Sequence, residues 1–270
     1  MSLRIDPRSV VNPDAILGED VSIGPFTIVE SGAVIGDRCT VGANALIASG
    51  ARIGKDCRIH HGAVVGHEPQ DLKYAGEITT CEVGDRTVIR EYATLHRGTG
   101  AGGRTVIGSD VLLMGYVHVA HDCLVGHNVI LANAAMLAGH CEVGDYAIIG
   151  GITPVHQFVH IGAHVMIGGG LRVPKDVPPY ILAGQEPLIF QGLNSIGLRR
   201  RGFSQESIDG LERAYGLLYR SNLNVSQAVE RIKSDPALYS IEEVRSVLEF
   251  IASSKRGILG GPRFREEKRA

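Results

Sequence analysis

The chain has 270 residues, is 44% hydrophobic and 5% aromatic, has no Trp and carries a formal charge of −2, so it can bury one large core built from aliphatic side chains. Its near-neutral charge gives no reason to expect a nucleic-acid partner. No run of about eighteen apolar residues suggests a membrane span, and Met1 to Pro13 hold no apolar stretch of the secretory kind, so a cytoplasmic protein is expected.

From Ala15 to Asp176 the sequence has a period of six. Every sixth residue from Leu17 to Val65, from Val83 to Leu95 and from Ile107 to Val173 is Leu, Ile or Val, 24 positions in all. Two residues before each stands mostly Ala, Val, Thr or Cys, and Gly often follows, as at Gly24, Gly36, Gly108 and Gly126. This pattern predicts a mainly β fold, a parallel β-helix whose triangular coils take eighteen residues each. The glycines are expected to supply positive-φ corners.

All five cysteines (Cys39, Cys57, Cys81, Cys123, Cys141) occupy the small inward position, which makes them packing residues rather than disulfides or nucleophiles. Two segments interrupt the period without changing its phase. Pro69 to Thr80 adds twelve residues and carries Gln70, Asp71, Lys73 and Tyr74; Thr99 to Arg104 adds six. Both should leave the prism as loops, where binding groups tend to stand.

Beyond Pro179 the period changes. The β-helix is assigned to residues 1–180 and a small helical domain to 181–270. Ser204 is placed to cap a helix burying Ile208, Leu211, Tyr215, Leu218 and Tyr219, with further helices over Ser226 to Lys233 and Ile241 to Ser253. Residues 181–270 have 14 Lys+Arg against 11 Asp+Glu, a basic end on an acidic prism.

The chemistry is sought among the eleven histidines, most of which fall within the later coils, among them His118, His121, His140, His156, His160 and His164. Gly139 is eighteen residues beyond His121, so the two should lie one above the other with His140 alongside. An imidazole can take the proton of an attacking hydroxyl, Asp122 can hold its tautomer, and the Gly139 N–H can serve an oxyanion, which together suit acyl transfer. Zinc is the competing reading of His118 and His121. Residues three apart on an extended strand point to opposite sides, so no metal is expected.

The segments QDLKYAG (70–76), HRGT (96–99), HVAHDC (118–123), LAGH (137–140), HQF (156–158) and RRGF (200–203) closely resemble the acyl-ACP:UDP-N-acetylglucosamine O-acyltransferases of lipid A biosynthesis. The resemblance covers essentially the whole chain. It implies a left-handed β-helix that works as a homotrimer and transfers a 3-hydroxyacyl group from acyl carrier protein to the 3-position of UDP-N-acetylglucosamine. A thioester is already activated, so no cofactor is expected. His121 would be the general base, Asp122 its partner and the Gly139 N–H the oxyanion donor. Lys73, His118, His140 and His156 would orient substrate, Asp71 and Gln157 would contact the sugar nucleotide beside Gln70, and Asn194, Arg200 and Arg201 would hold phosphate or the carrier arm. Gly169 would leave room for a long acyl chain, at a position expected to face inward. Ile196 departs from the family, which usually has Glu there.

A donor other than acyl carrier protein, such as CoA, and a 3-amino acceptor remain open in this reading. The N-acyltransferase of the next pathway stage would carry an additional N-terminal domain, and a non-enzymatic prism would lack the histidine cluster.

Overall fold

The computed structural model describes residues 3–100 and 102–262. Met1 and Ser2, Ala101 of the second insertion, and 263–270 at the end of the expected helical domain lie outside the described residues.

Three sheets form the sides of a prism. The first face runs from Arg4–Ile5 to Met166–Ile167, the second from Val10–Val11 to Pro154–Val155, and the third from Ile16–Leu17 to His160–Ile161. Successive coils pair in parallel at a register of eighteen, as in Ser22↔Thr40. The register widens to thirty at Arg58↔Val88, across the first insertion, and to twenty-four at Cys81↔Thr105, across the second. Both loops therefore leave the prism without disturbing its phase.

The period-six aliphatics fill the interior: Ile47, Ile89, Leu113 and Leu137 have no exposed surface, nor do the cysteines among them. Burying each such side chain contributes about 1.5–3 kcal/mol. The prism begins two sides earlier than Ala15, because Ile5 pairs with Ile23 and Val11 with Val29 in the same phase.

The glycines have a different purpose from the one expected. Positive φ falls on the sixth position of most hexapeptides, usually not glycine: Asp20 (55°), Arg38 (57°), Asp122 (58°) and His140 (60°). The N–H there donates to a carbonyl one coil below, as from Arg38 to Glu19 and His140 to His121. Glycine follows the aliphatic residue because coils touch at that point. A Cβ on Gly36 would stand 2.5 Å from the Gly54 carbonyl oxygen, and one on Gly108 would press equally hard on Gly126.

The expected boundary at residue 180 falls just before a short strand. Ile181–Gly184 extends the first face in parallel with Met166–Ile167, and Ile189–Leu193 returns antiparallel to it. Ile181 and Ala183 still alternate inward after the six-residue phase has gone, which keeps this segment in the sheet. Five helices follow: α1 (Ser195–Arg200), α2 (Gln205–Tyr219), α3 (Val225–Lys233), α4 (Pro236–Tyr239) and α5 (Glu242–Ser253). Ser204 caps α2 by accepting the Ser207 N–H at 3.0 Å, and α2 buries Ile208, Leu211, Tyr215 and Leu218. Asp176 joins the last coil to the helical end; its carboxylate accepts the His160 N–H (2.9 Å) and the Ser254 hydroxyl (2.6 Å). Among the described residues no helix is long and apolar enough to cross a membrane.

Candidate active site

The edge between the second and third faces brings His121, Asp122, Gly139 and His140 together. His121 Nδ1 is 2.8 Å from Asp122 Oδ2. Asp122 is 7% exposed and its carboxylate is saturated from below: Thr99 donates its N–H to Oδ1 (3.0 Å) and its hydroxyl to Oδ2 (2.6 Å). The Asp122 N–H donates to the Thr105 hydroxyl at 2.9 Å. Burial works against ionisation of Asp122, but the Thr99 hydroxyl, the His121 ring and the Thr99 N–H outweigh it and hold the carboxyl below its usual range.

Gly139 lies directly over the His121 ring; a Cβ there would come within 2.5 Å of Cε1 and 2.7 Å of Nε2. Its neighbours Ala138 and His140 donate their N–H groups to Val155 and His121, whereas the Gly139 N–H between them has no part in this pairing between coils. His140 meets the His121 ring edge-on with centroids 5.1 Å apart, stacks on Phe158, and has Nε2 3.8 Å from Asp122.

The other nitrogen of His121 faces a groove of about 320 Å³ lined by Gln70, His118, Met136, Gly139 and Pro154. Asp71 of the first insertion reaches into the same region, with Oδ2 3.9 Å from His121 Nε2. Lys73 is exposed on the same turn. His118 turns to Thr94, with Nδ1 2.7 Å from the hydroxyl, and burial followed by the nearby His121 charge lowers its pKa. Donor atoms of His121, Asp122 and His140 do all lie within 4.8 Å of one another, and these are the residues that could hold a metal. Gln157 is exposed one coil beyond Gly139, and His156 beside it has Nδ1 3.1 Å from the Gln157 carbonyl oxygen.

Four expected site residues lie elsewhere in the chain. Asn194 is 6% exposed and its amide is occupied: Oδ1 accepts the Gly197 N–H, capping α1, and Nδ2 donates to the His164 carbonyl. Arg201 lies over the Tyr146 ring, 5.1 Å from its centroid, and Arg200 is exposed beside it. Both belong to the edge between the third and first faces. Gly169 is exposed, not inward, on the edge between the first and second faces. Its phase is that of His121 and Gly139, an outward corner.

Sequence reasoning missed Thr99, Thr105 and Gly102, where a Cβ would press on the Asp122 carboxylate. The signal was the second insertion itself, which opens at Thr99 and brings these residues against Asp122.

A β-helix with a buried Asp, an imidazole open to a groove and an uncommitted backbone N–H above it defines a hexapeptide-repeat acyltransferase. Residues 32–67 and 104–139 match the family model for the bacterial transferase hexapeptide, and 176–259 match that for domain 2 of UDP N-acetylglucosamine O-acyltransferase. The acyl-[acyl-carrier-protein]–UDP-N-acetylglucosamine O-acyltransferase of Chlorobaculum parvum is 60% identical over 254 residues, 94% of this chain and 96% of that one. The enzyme of the same name from Trichlorobacter lovleyi is 54% identical over 263 residues, 96% of this chain and all of the other. The crystal structure of the UDP-N-acetylglucosamine acyltransferase from Bacteroides fragilis superposes with a TM-score of 0.92 at 46% identity, covering 94% of this chain and 99% of that one. The chain belongs to the acyl-ACP–UDP-N-acetylglucosamine O-acyltransferase family, with its left-handed β-helix.

Proposed function

We propose that this chain transfers a 3-hydroxyacyl group from acyl carrier protein to the 3-hydroxyl of UDP-N-acetylglucosamine, the opening reaction of lipid A biosynthesis, in the cytoplasm. The observation that carries the mechanism is His121, held at Nδ1 by Asp122 and open to the groove at Nε2, with the Gly139 N–H uncommitted above it. Nε2 takes the proton as the sugar oxygen attacks the thioester carbonyl. The oxyanion accepts from the Gly139 N–H, the C–S bond breaks, and the proton passes from His121 to the departing thiolate. Asp122 stabilises the imidazolium between these steps.

The working form in this proposal is a homotrimer. Outward residues of the later coils of the first face (Leu112, Ile130, Ile148, Met166) and most of those of the second (such as Val10, Ile28, Val64, Met136) are apolar, while the third mixes Ile16, Val34, Val106 and Leu124 with Arg52, Glu82, Glu142 and His160. The edge between the two apolar faces exposes Tyr116 (62%) and Ile152 (70%). Laying the first face of one copy on the second face of the next closes a threefold ring. That arrangement sets the His121 edge of one protomer beside its neighbour's Arg201 edge, which accounts for site residues that stand on separate edges of one chain.

The acyl chain then runs over the second face from Met136 and Pro154 toward Gly169. Mass spectrometry of products from a panel of 3-hydroxyacyl-ACPs, with 3-hydroxyl and 3-amino acceptors, tests the proposal. An ester at the sugar 3-position is expected; amide formation alone would refute the assigned acceptor. Gly169→Met should turn preference toward shorter donors, each lost methylene contact being worth about 0.8 kcal/mol. An unchanged kcat/KM ratio for long and short donors would remove Gly169 from this role.

A further inference from the structure

We propose that Arg97 is the positioning residue for the acceptor side of the site, clamping the first insertion to the prism so that Asp71 stands at His121. This rests on the reading above that Asp71 contacts the sugar nucleotide. The insertion has no regular element between His67 and Thr80, and its aliphatic side chains Leu72 and Ile78 are fully exposed, 104% and 102%. They do not fold it back onto the prism, so polar contacts must offset the entropy of ordering the segment.

Arg97 supplies those contacts. It occupies the corner position one coil below His121, in the register set by Thr94↔His118. Its side chain is 12% exposed. Nη2 and Nε donate to the Tyr74 hydroxyl (2.7 and 3.2 Å), Nη1 donates to the Ser49 hydroxyl (3.2 Å), and Nη2 pairs with Glu68 (3.3 Å). The guanidinium also lies 5.6 Å from the centroid of the Tyr74 ring. The prism leaves space for it: a Cβ on Gly50 would come within 2.7 Å of Arg97 Cδ.

From Tyr74 the path to Asp71 is one tight turn. The Tyr74 N–H donates to the Asp71 carbonyl (3.0 Å), the Lys73 N–H to Asp71 Oδ1 (2.9 Å), and the Tyr74 hydroxyl to the Glu77 carbonyl (3.0 Å). Asp71 Oδ2 ends 3.9 Å from His121 Nε2. One guanidinium therefore ties two coils of the prism to the turn that presents Asp71. Lysine cannot make this fork.

Steady-state kinetics of Arg97→Lys, Tyr74→Phe, Asp71→Asn and the Arg97→Lys/Asp71→Asn double variant test the proposal, with sugar nucleotide and acyl-ACP varied in turn. Both clamp variants should raise KM for the sugar nucleotide, Arg97→Lys by about tenfold, with kcat within about threefold and KM for the acyl donor unchanged. The double variant should be no worse than Asp71→Asn alone, because Arg97 acts through Asp71. If Asp71→Asn leaves KM for the sugar nucleotide unchanged, the reading of Asp71 fails. If Asp71→Asn raises it but the clamp variants do not, or the two effects multiply, Asp71 stands and the clamp is overturned. Tyr74→Phe alters only the loop and tests the clamp even where Arg97→Lys fails to fold.

Discussion

Two edges of the prism have the same backbone and opposite chemistry. On the edge between the third and first faces, corner side chains satisfy one another up the column: Arg38 forks onto Asp56 and Arg86 onto Asp110, and higher up Tyr146, His164 and Tyr180 stack ring on ring. On the edge between the second and third faces, the column ends in a histidine that is fixed at one nitrogen and open at the other, under a glycine with a free N–H. Corner geometry is thus a shared platform, and reactivity arises where the ladder of partners is left incomplete.

The largest expected effect breaks that difference at its centre. His121→Ala should lower kcat by about 10² to 10⁴, roughly 3 to 5 kcal/mol in the barrier, with an unaltered circular dichroism spectrum. Activity within tenfold of the parent would take the base role from His121.

Gly139→Ala should come next, lowering kcat by about 10², since the new methyl displaces the ring whose Nε2 lies 2.7 Å from it. A circular dichroism spectrum and trimer mass like the parent's should show that the fold survives the substitution. Activity within threefold of the parent would mean that the ring need not lie against Gly139.

Thr99→Val sharpens the comparison by loosening the carboxylate instead of the imidazole. Without the 2.6 Å hydroxyl bond Asp122 is harder to ionise, so its depressed pKa rises and it holds the His121 imidazolium less firmly. Measured kcat should fall about tenfold at neutral pH. An unchanged kcat would show that the Thr99 hydroxyl does not support the pair of Asp122 and His121.

The smallest effect belongs to the self-satisfied edge. Arg38→Met removes an exposed fork onto Asp56 and should leave kcat unchanged and Tm within about 3 °C. A large loss of activity would mean that this ladder transmits to the site.

The aliphatic period was enough to read the coils, their register and the two insertions, because each inward position recurs at fixed spacing. It also stacked Gly139 on His121. The same period placed Gly169 on an outward corner, and the inward assignment came from setting phase aside. The glycines were misread because close approach between coils and positive φ both favour glycine in a sequence; contact with the next coil separates the two causes. Thr99 and Arg97 were not assigned roles because their partners lie across insertions, where no period fixes the pairing. The capping role of Asn194 was not legible because a capping amide and a binding amide are identical until their partners are known.

The widened registers carry a last consequence for how such sites can be added to a coil. Lengthening one turn of the prism from eighteen to thirty residues raises the loop-closure entropy cost by about 0.5 kcal/mol, because that cost grows with the logarithm of length. A twelve-residue segment can therefore be grown from an edge with little effect on how neighbouring coils close. A rigid stack of coils can in this way acquire a long excursion at one level while the levels above and below keep their spacing.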